Sequence, residues 1–112
     1  MALTTAQDYI DIARRLVQDE AVPYRYSDVA MIEAINIAVL EMNRLRPEMF
    51  FGVSLPDVSA VTDAIAISDP NKIAIAYFIT GHVQLSDDEP SQDARGTGFI
   101  QKFNTMLTKP GA

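Results

Sequence analysis

The chain has 112 residues, of which 48% are hydrophobic and 21% charged. That amounts to one domain with a modest core and excludes wholesale disorder. Fifteen acids against nine bases give a net charge of −6, and an acidic chain without a basic stripe is a poor nucleic-acid binder. Cysteine is absent and histidine occurs once, which excludes disulfides, thiolate chemistry and a Cys/His pair and makes a His-based metal cluster improbable. The N-terminus lacks the charged-then-apolar order of a secretory signal. No run reaches the roughly 18 apolar residues that a membrane span needs.

The first predicted element is a helix over residues 5–19. Thr4 with Gln7, and Thr5 with Asp8, have capping-box spacing. At about 100° per residue, Tyr9, Ile10, Ile12, Ala13, Leu16 and Val17 fall on one arc, and Asp11, Arg14, Arg15 and Gln18 on the other. After the break at Pro23, Ser27 as N-cap and Asp28 in the first turn open a second helix that stops at Leu45, before Pro47. Its main arc is Met31, Ile32, Ile35, Ala38, Val39, Met42 and Leu45. Ile37 and Leu40 lie outside that arc, which marks either a central core helix or a face kept for another chain.

Between Pro47 and Ser68 the helical pattern lapses into a long apolar connection containing Met49-Phe50-Phe51, Gly52, Val58, Val61, Ile65 and Ile67. Loops of this length usually carry function. The Met49-Phe50-Phe51 run is either hidden under the loop or a docking surface. Asp69-Pro70 has the form of an N-cap and N1 pair opening a third helix. That helix is apolar nearly all round from Ile73 to Leu85, with Thr80 and Gln84 as a narrow polar strip, so it is expected to be buried. Asp87, Asp88 and Glu89 are expected in solvent beyond its end. A fourth helix starts at Ser91 or Thr97, with Gly96 and Gly98 as a flexible lead-in, and runs to Thr108 on an arc of Phe99, Ile100, Phe103, Met106 and Leu107. Residues 109–112 form a short flexible tail.

No catalytic constellation stands out. His82 lies on the apolar side of the third helix between Ile75 and Phe78, as a core or interface histidine would. No GxSxG elbow accompanies it. The carboxylate pairs Asp8 with Asp11, Asp19 with Glu20, and Asp87 to Glu89 fall on predicted solvent faces or helix ends, where general acid–base work is improbable. Asn36 and Asn43, seven apart, share one flank of the second helix. They are either a boundary pair bonding a neighbouring loop or a polar contact that fixes register between packed helices or subunits.

The opening segment TTAQDYIDIARRLVQDE and the segment RYSDVAMIEAINIAVLEMNRLRP resemble the head–tail connector (adaptor) proteins of tailed bacteriophages. Their first helix has the form DxIxxARxLLQD. An aromatic then precedes Ser/Thr-Asp, here Tyr26-Ser27-Asp28, and a helix of the form LLxWxNxAQxxIxxLRP follows. Asn36 matches its Asn, and Leu45-Arg46-Pro47 its end. The later part is also similar, with Ala76-Tyr77-Phe78 inside a helix, an acidic loop and a last helix from Phe99 to Leu107. The likeness covers most of the chain and rests on ordered pattern, since no single motif is diagnostic. The tryptophan usual in the second helix is absent, Ile35 or Ala34 standing there, and the middle connection is shorter and more apolar.

The resemblance implies an all-α single domain over residues 1–112, a small four-helix bundle built on a long antiparallel helical hairpin. It implies a non-enzymatic virion structural protein without cofactor or metal. Copies would form a ring, usually of twelve, beneath the portal protein, extending the DNA channel and offering a platform to a downstream neck or tail protein. DNA would be only a passing, non-specific substrate of the channel. The chain would reside at the head–tail junction of the virion, and in the host cytoplasm during assembly, with no membrane contact. Asn36, Ile37, Leu40, Asn43, Met49, Phe50, Phe51, Lys109 and Pro110 are the expected subunit or portal contacts. The rival readings are a small helical regulatory or partner-binding module without catalysis and, last, a small hydrolase-like enzyme.

Overall fold

The structure, a computed structural model, describes residues 3–52, 55–65, 67, 71–86 and 90–108, with only the backbone of 90–93. Four helices carry the fold: α1 (Ala6–Val17), α2 (Asp28–Leu45), α3 (Lys72–Leu85) and α4 (Pro90–Thr108), with a 3-10 turn, Pro47–Phe50, directly after α2. No strand occurs among the described residues, and one isolated bridge joins Thr5 to Ala64. The all-α expectation therefore holds, and the first, second and third helices fall within about two residues of their predicted bounds.

The packing centres on one helix. α3 is the central element: α4 packs most closely on it, α1 and α2 each lean on it, and α1 and α2 touch each other little. The physical reason is that α3 is apolar on nearly every face, so three partners are needed to cover it. Ala74, Ile75, Ala76, Phe78, Ile79 and Val83 are buried, and so are Thr80 and Gln84. The predicted polar strip thus lies inside. Thr80 is accommodated because its hydroxyl donates to the Ala76 carbonyl one turn back, at 2.9 Å.

α4 begins before Gly96, and this glycine is not a flexible lead-in. Gly96 is buried within the helix, facing Gly81 of α3. A Cβ on Gly81 would stand 2.7 Å from the Gly96 carbonyl oxygen, and one on Gly96 would meet the Gly81 carbonyl at 3.0 Å and Leu85 Cγ at 2.9 Å. Two backbones without side chains let α3 and α4 approach this closely. Gly98 faces open space. Farther along, the Phe103 ring meets Phe78 edge to face, centroids 4.8 Å apart, and Phe103 and Leu107 are fully buried.

The middle connection is a packed strap rather than a free loop. Val58, Ile65 and Ile67 are buried in the core. The strap also caps α1: the free first-turn amides of Ala6 and Gln7 donate to the carbonyls of Asp63 and Val61, both at 2.9 Å, and Ile65 N–H donates to the Thr4 carbonyl at 2.8 Å. A helix N-terminus leaves its first amides without intrahelical acceptors, and here chain from about sixty residues downstream supplies them. Asp8 completes the cap from inside the helix, its carboxylate accepting from the amides of Thr4 (2.9 Å) and Thr5 (3.0 Å). These donors hold the Asp8 carboxyl below its ordinary range. Asp63 is lowered likewise by the amides of Ser59 and Ala60. Asp69, Pro70 and Asp87 to Glu89, to which the sequence assigned a helix start and a solvated end, lie outside the described residues.

Candidate interaction surface

The residues that carry the resemblance are joined into a polar frame. Arg14, placed on the solvent arc by periodicity, is 4% exposed. Its guanidinium donates to Asp19 (2.9 Å), to Asp28 (2.7 Å) and to the Tyr26 carbonyl (2.8 Å), and lies 3.7 Å from the centre of the Tyr24 ring. Asp19, expected at a solvated helix end, is also buried. It accepts from the amides of Arg25 (2.7 Å) and Tyr26 (3.0 Å). One buried ion pair therefore closes the loop between α1 and α2 and seats the start of α2. Gln18 turns the chain into this loop in the left-handed region, at φ 59. The sequence holds a signal for Arg14, because it follows Ile10 by four and precedes Val17 by three, at the edge of the apolar arc.

Asn36 has an internal task. Its amide donates to the Val58 carbonyl at 2.9 Å and its Oδ1 accepts from the Val58 amide at 2.8 Å, binding α2 to the strap. Of the two readings of the asparagines, the bond to a neighbouring loop is the one Asn36 adopts. Asn43 is half-buried. Arg46, in the Leu45-Arg46-Pro47 end of the pattern, donates to the Leu107 carbonyl at 2.9 Å and pairs with Glu48. It ties the end of α2 to the last turn of α4.

The remaining interface candidates separate. Phe50 is buried and belongs to the core cluster, against which Met49 packs partly buried. Phe50 is therefore a core residue and not the docking anchor expected of it, because the 3-10 turn packs on α2 and carries its ring inward. Phe51, the next residue, is 79% exposed. Ile37 and Leu40 are exposed on α2 together with Val29, which is 69% exposed. At 100° per residue these three and the exposed Glu33 fall within a sector of about 80°, so α2 presents an apolar row with one acid inside it. Lys109 and Pro110 lie outside the described residues.

A second surface was not foreseen. Beside α3, the outer face of α4 forms an open groove of about 580 Å³ lined by Tyr77, Gly98, Gln101, Lys102, Thr105 and Met106. The Lys102 ammonium stands 5.3 Å from the Tyr77 ring centre and 5.6 Å from that of Phe99, and the two rings are 5.8 Å apart. Arg95 lies 6.0 Å from the Phe99 ring centre and donates to the Leu16 carbonyl in the last turn of α1, at 3.0 Å. Phe99 and Lys102 at i, i+3 gave a faint signal, but the third member, Tyr77, comes from another helix.

The His82 ring stacks on Phe78, centroids 5.7 Å apart, and borders a groove of about 220 Å³ with Tyr26, Ala30, Glu33, Val83 and Ser86. The Ser86 hydroxyl donates to the His82 carbonyl at 2.7 Å, as a helix-end residue does. Among the described residues no group of three or more His, Asp or Glu side chains could hold a metal ion, and no helix is long and apolar enough to cross a membrane. Comparison with protein-family models, curated proteins and solved structures gives no match.

Proposed function

We propose that the chain is a non-catalytic assembly protein of the head–tail connector type. It would sit as a ring beneath a portal protein and extend a DNA channel toward a neck or tail component. The observation that supports this most is the row Val29, Ile37 and Leu40 on α2 with Phe51 beyond it, all solvent-exposed. A chain of this size has little reason to leave four large apolar side chains in water unless another surface covers them. The acidic balance, a net −6, suits a channel past which DNA slides without sticking. The resemblance supplies the specific assignment. Its positions Arg14, Asp19, Tyr26, Asp28, Asn36 and Arg46 all serve the frame of the fold, so it speaks first to architecture and through architecture to role.

Purified portal rings or portal-bearing heads mixed with the chain and imaged by electron microscopy test the reading. Bound density at the portal's outer mouth is expected. Ile37→Asp and Phe51→Asp should leave the circular-dichroism spectrum unchanged and abolish attachment, and removal of 109–112 should weaken it. Normal attachment by all three variants would defeat the proposed contacts, and no attachment by the parent chain would defeat the function. Duplex DNA should bind weakly or not at all at physiological salt; a tight, salt-sensitive mobility shift would count against the reading.

A further inference from the structure

The molecule carries two non-equivalent outward surfaces that are both apolar and bear opposite charges. The α2 row from Val29 to Leu40 is exposed and apolar, with Glu33 inside it, a carboxylate with no ion pair to another described residue. The α4 groove is apolar, bordered by Tyr77 and Met106, with Lys102 at its rim. Among the described residues Arg14, Arg15, Arg44 and Arg46 each bind a carboxylate of their own chain, whereas the Lys102 contacts are to aromatic faces. Eleven residues separate Val29 from Leu40 and eight separate Gly98 from Met106, spans of about 16 and 12 Å on helices. The groove accommodates the part of the row from Glu33 to Leu40, about 10 Å long, with Leu40 and Ile37 against Met106 and Tyr77 and the Glu33 carboxylate toward Lys102.

We infer that the α4 groove receives the α2 row of a second copy of this chain, head to tail, with Glu33 of one copy facing Lys102 of the next. Because the two surfaces differ, each copy offers a free row at one side and a free groove at the other, and such contacts propagate into a ring or a filament rather than closing as a two-fold dimer. Apolar contact accompanied by a complementary charge pair fixes both partner and register. This pairing rests on the assembly reading above, yet it is measured without any portal, so the two can fail separately.

The absence of cysteine from the chain makes the test direct. Leu40→Cys and Thr105→Cys each place one thiol on an exposed position. Under oxidation at high protein concentration, the mixture of the two variants should give a disulfide-linked dimer, and each variant alone should give little. Adding Lys102→Glu to the Thr105→Cys chain should lower the cross-linking about tenfold, since like charges then meet at the rim. Adding Glu33→Lys to the Leu40→Cys partner should restore it. Equal cross-linking of Leu40→Cys with itself would show a face-to-face contact and overturn the pairing. So would a mixture that cross-links no more than a control pair with its thiols on exposed Glu20 and Thr108. Portal binding with no such cross-link would overturn the pairing and leave the proposed function standing.

Discussion

The joint between α1 and α2 and the joint between α3 and α4 solve one problem in opposite ways. Each must hold two helices at a fixed angle. The first does so with charge: α1 and α2 scarcely touch, and the buried guanidinium of Arg14 binds Asp19, Asp28 and the Tyr26 carbonyl across the loop between them. The second does so with absence of bulk: Gly81 and Gly96 bring backbones together, and Phe78 and Phe103 interlock farther along. A charged joint is specified by a few directional bonds and fails when one partner goes. A close-packed joint spreads its energy over many contacts and fails when volume is added.

The contrast can be broken first at the charged joint. Arg14→Ala leaves the Asp19 carboxylate buried without its cation and should lower unfolding free energy by about 3 kcal/mol, read from urea denaturation. Loss below about 1 kcal/mol, the scale of exposed pairs, would mean that water enters the joint and that it works as a surface salt bridge.

The glycine joint should break next. Gly81→Ala forces a methyl group against the Gly96 carbonyl at 2.7 Å, and overpacking of this kind costs about 1–3 kcal/mol. Gly98→Ala, a helical glycine two residues beyond Gly96 with open space around it, should instead raise stability by about 0.5–1 kcal/mol, because alanine loses less backbone entropy in a helix. Thermal melts of the two variants should move in opposite directions. Shifts of the same sign would refute the close approach of α3 and α4.

The smallest effect sharpens a third joint, between α1 and the strap. The Asp8 and Asp63 carboxyls are held below their ordinary values by backbone amides. A lowered folded-state value means that their contribution is present above the unfolded value, about 4, and is lost as pH falls through the folded value. Asp8→Asn and Asp63→Asn should therefore flatten the acid limb of stability against pH while leaving its slope near neutrality unchanged. An acid limb identical to the parent's in both variants would remove these caps from the account.

The sequence by itself determined that the protein is helical and where its apolar faces lie. The period of Tyr9, Ile10 and Ala13, the Ser27 cap with the Ala30 amide donating to its hydroxyl, and the nearly all-apolar run of α3 are local properties, and local structure follows from them. It also marked Ile37 and Leu40 as apolar residues outside the main arc of their helix, and left Met49-Phe50-Phe51 open between a hidden run and a docking surface. Only the tertiary structure decided that Arg14 and Asp19 are buried, that Phe50 and Phe51 have opposite fates, that Asn36 holds the strap, and that Gly96 is a packing residue rather than a hinge. Each of these depends on a partner distant in sequence: Arg14 on Asp28, Gly96 on Gly81, Asn36 on Val58, Tyr77 on Lys102. Periodicity assigns a residue to a face of its own helix, but what covers that face is settled by the other chain segments that reach it.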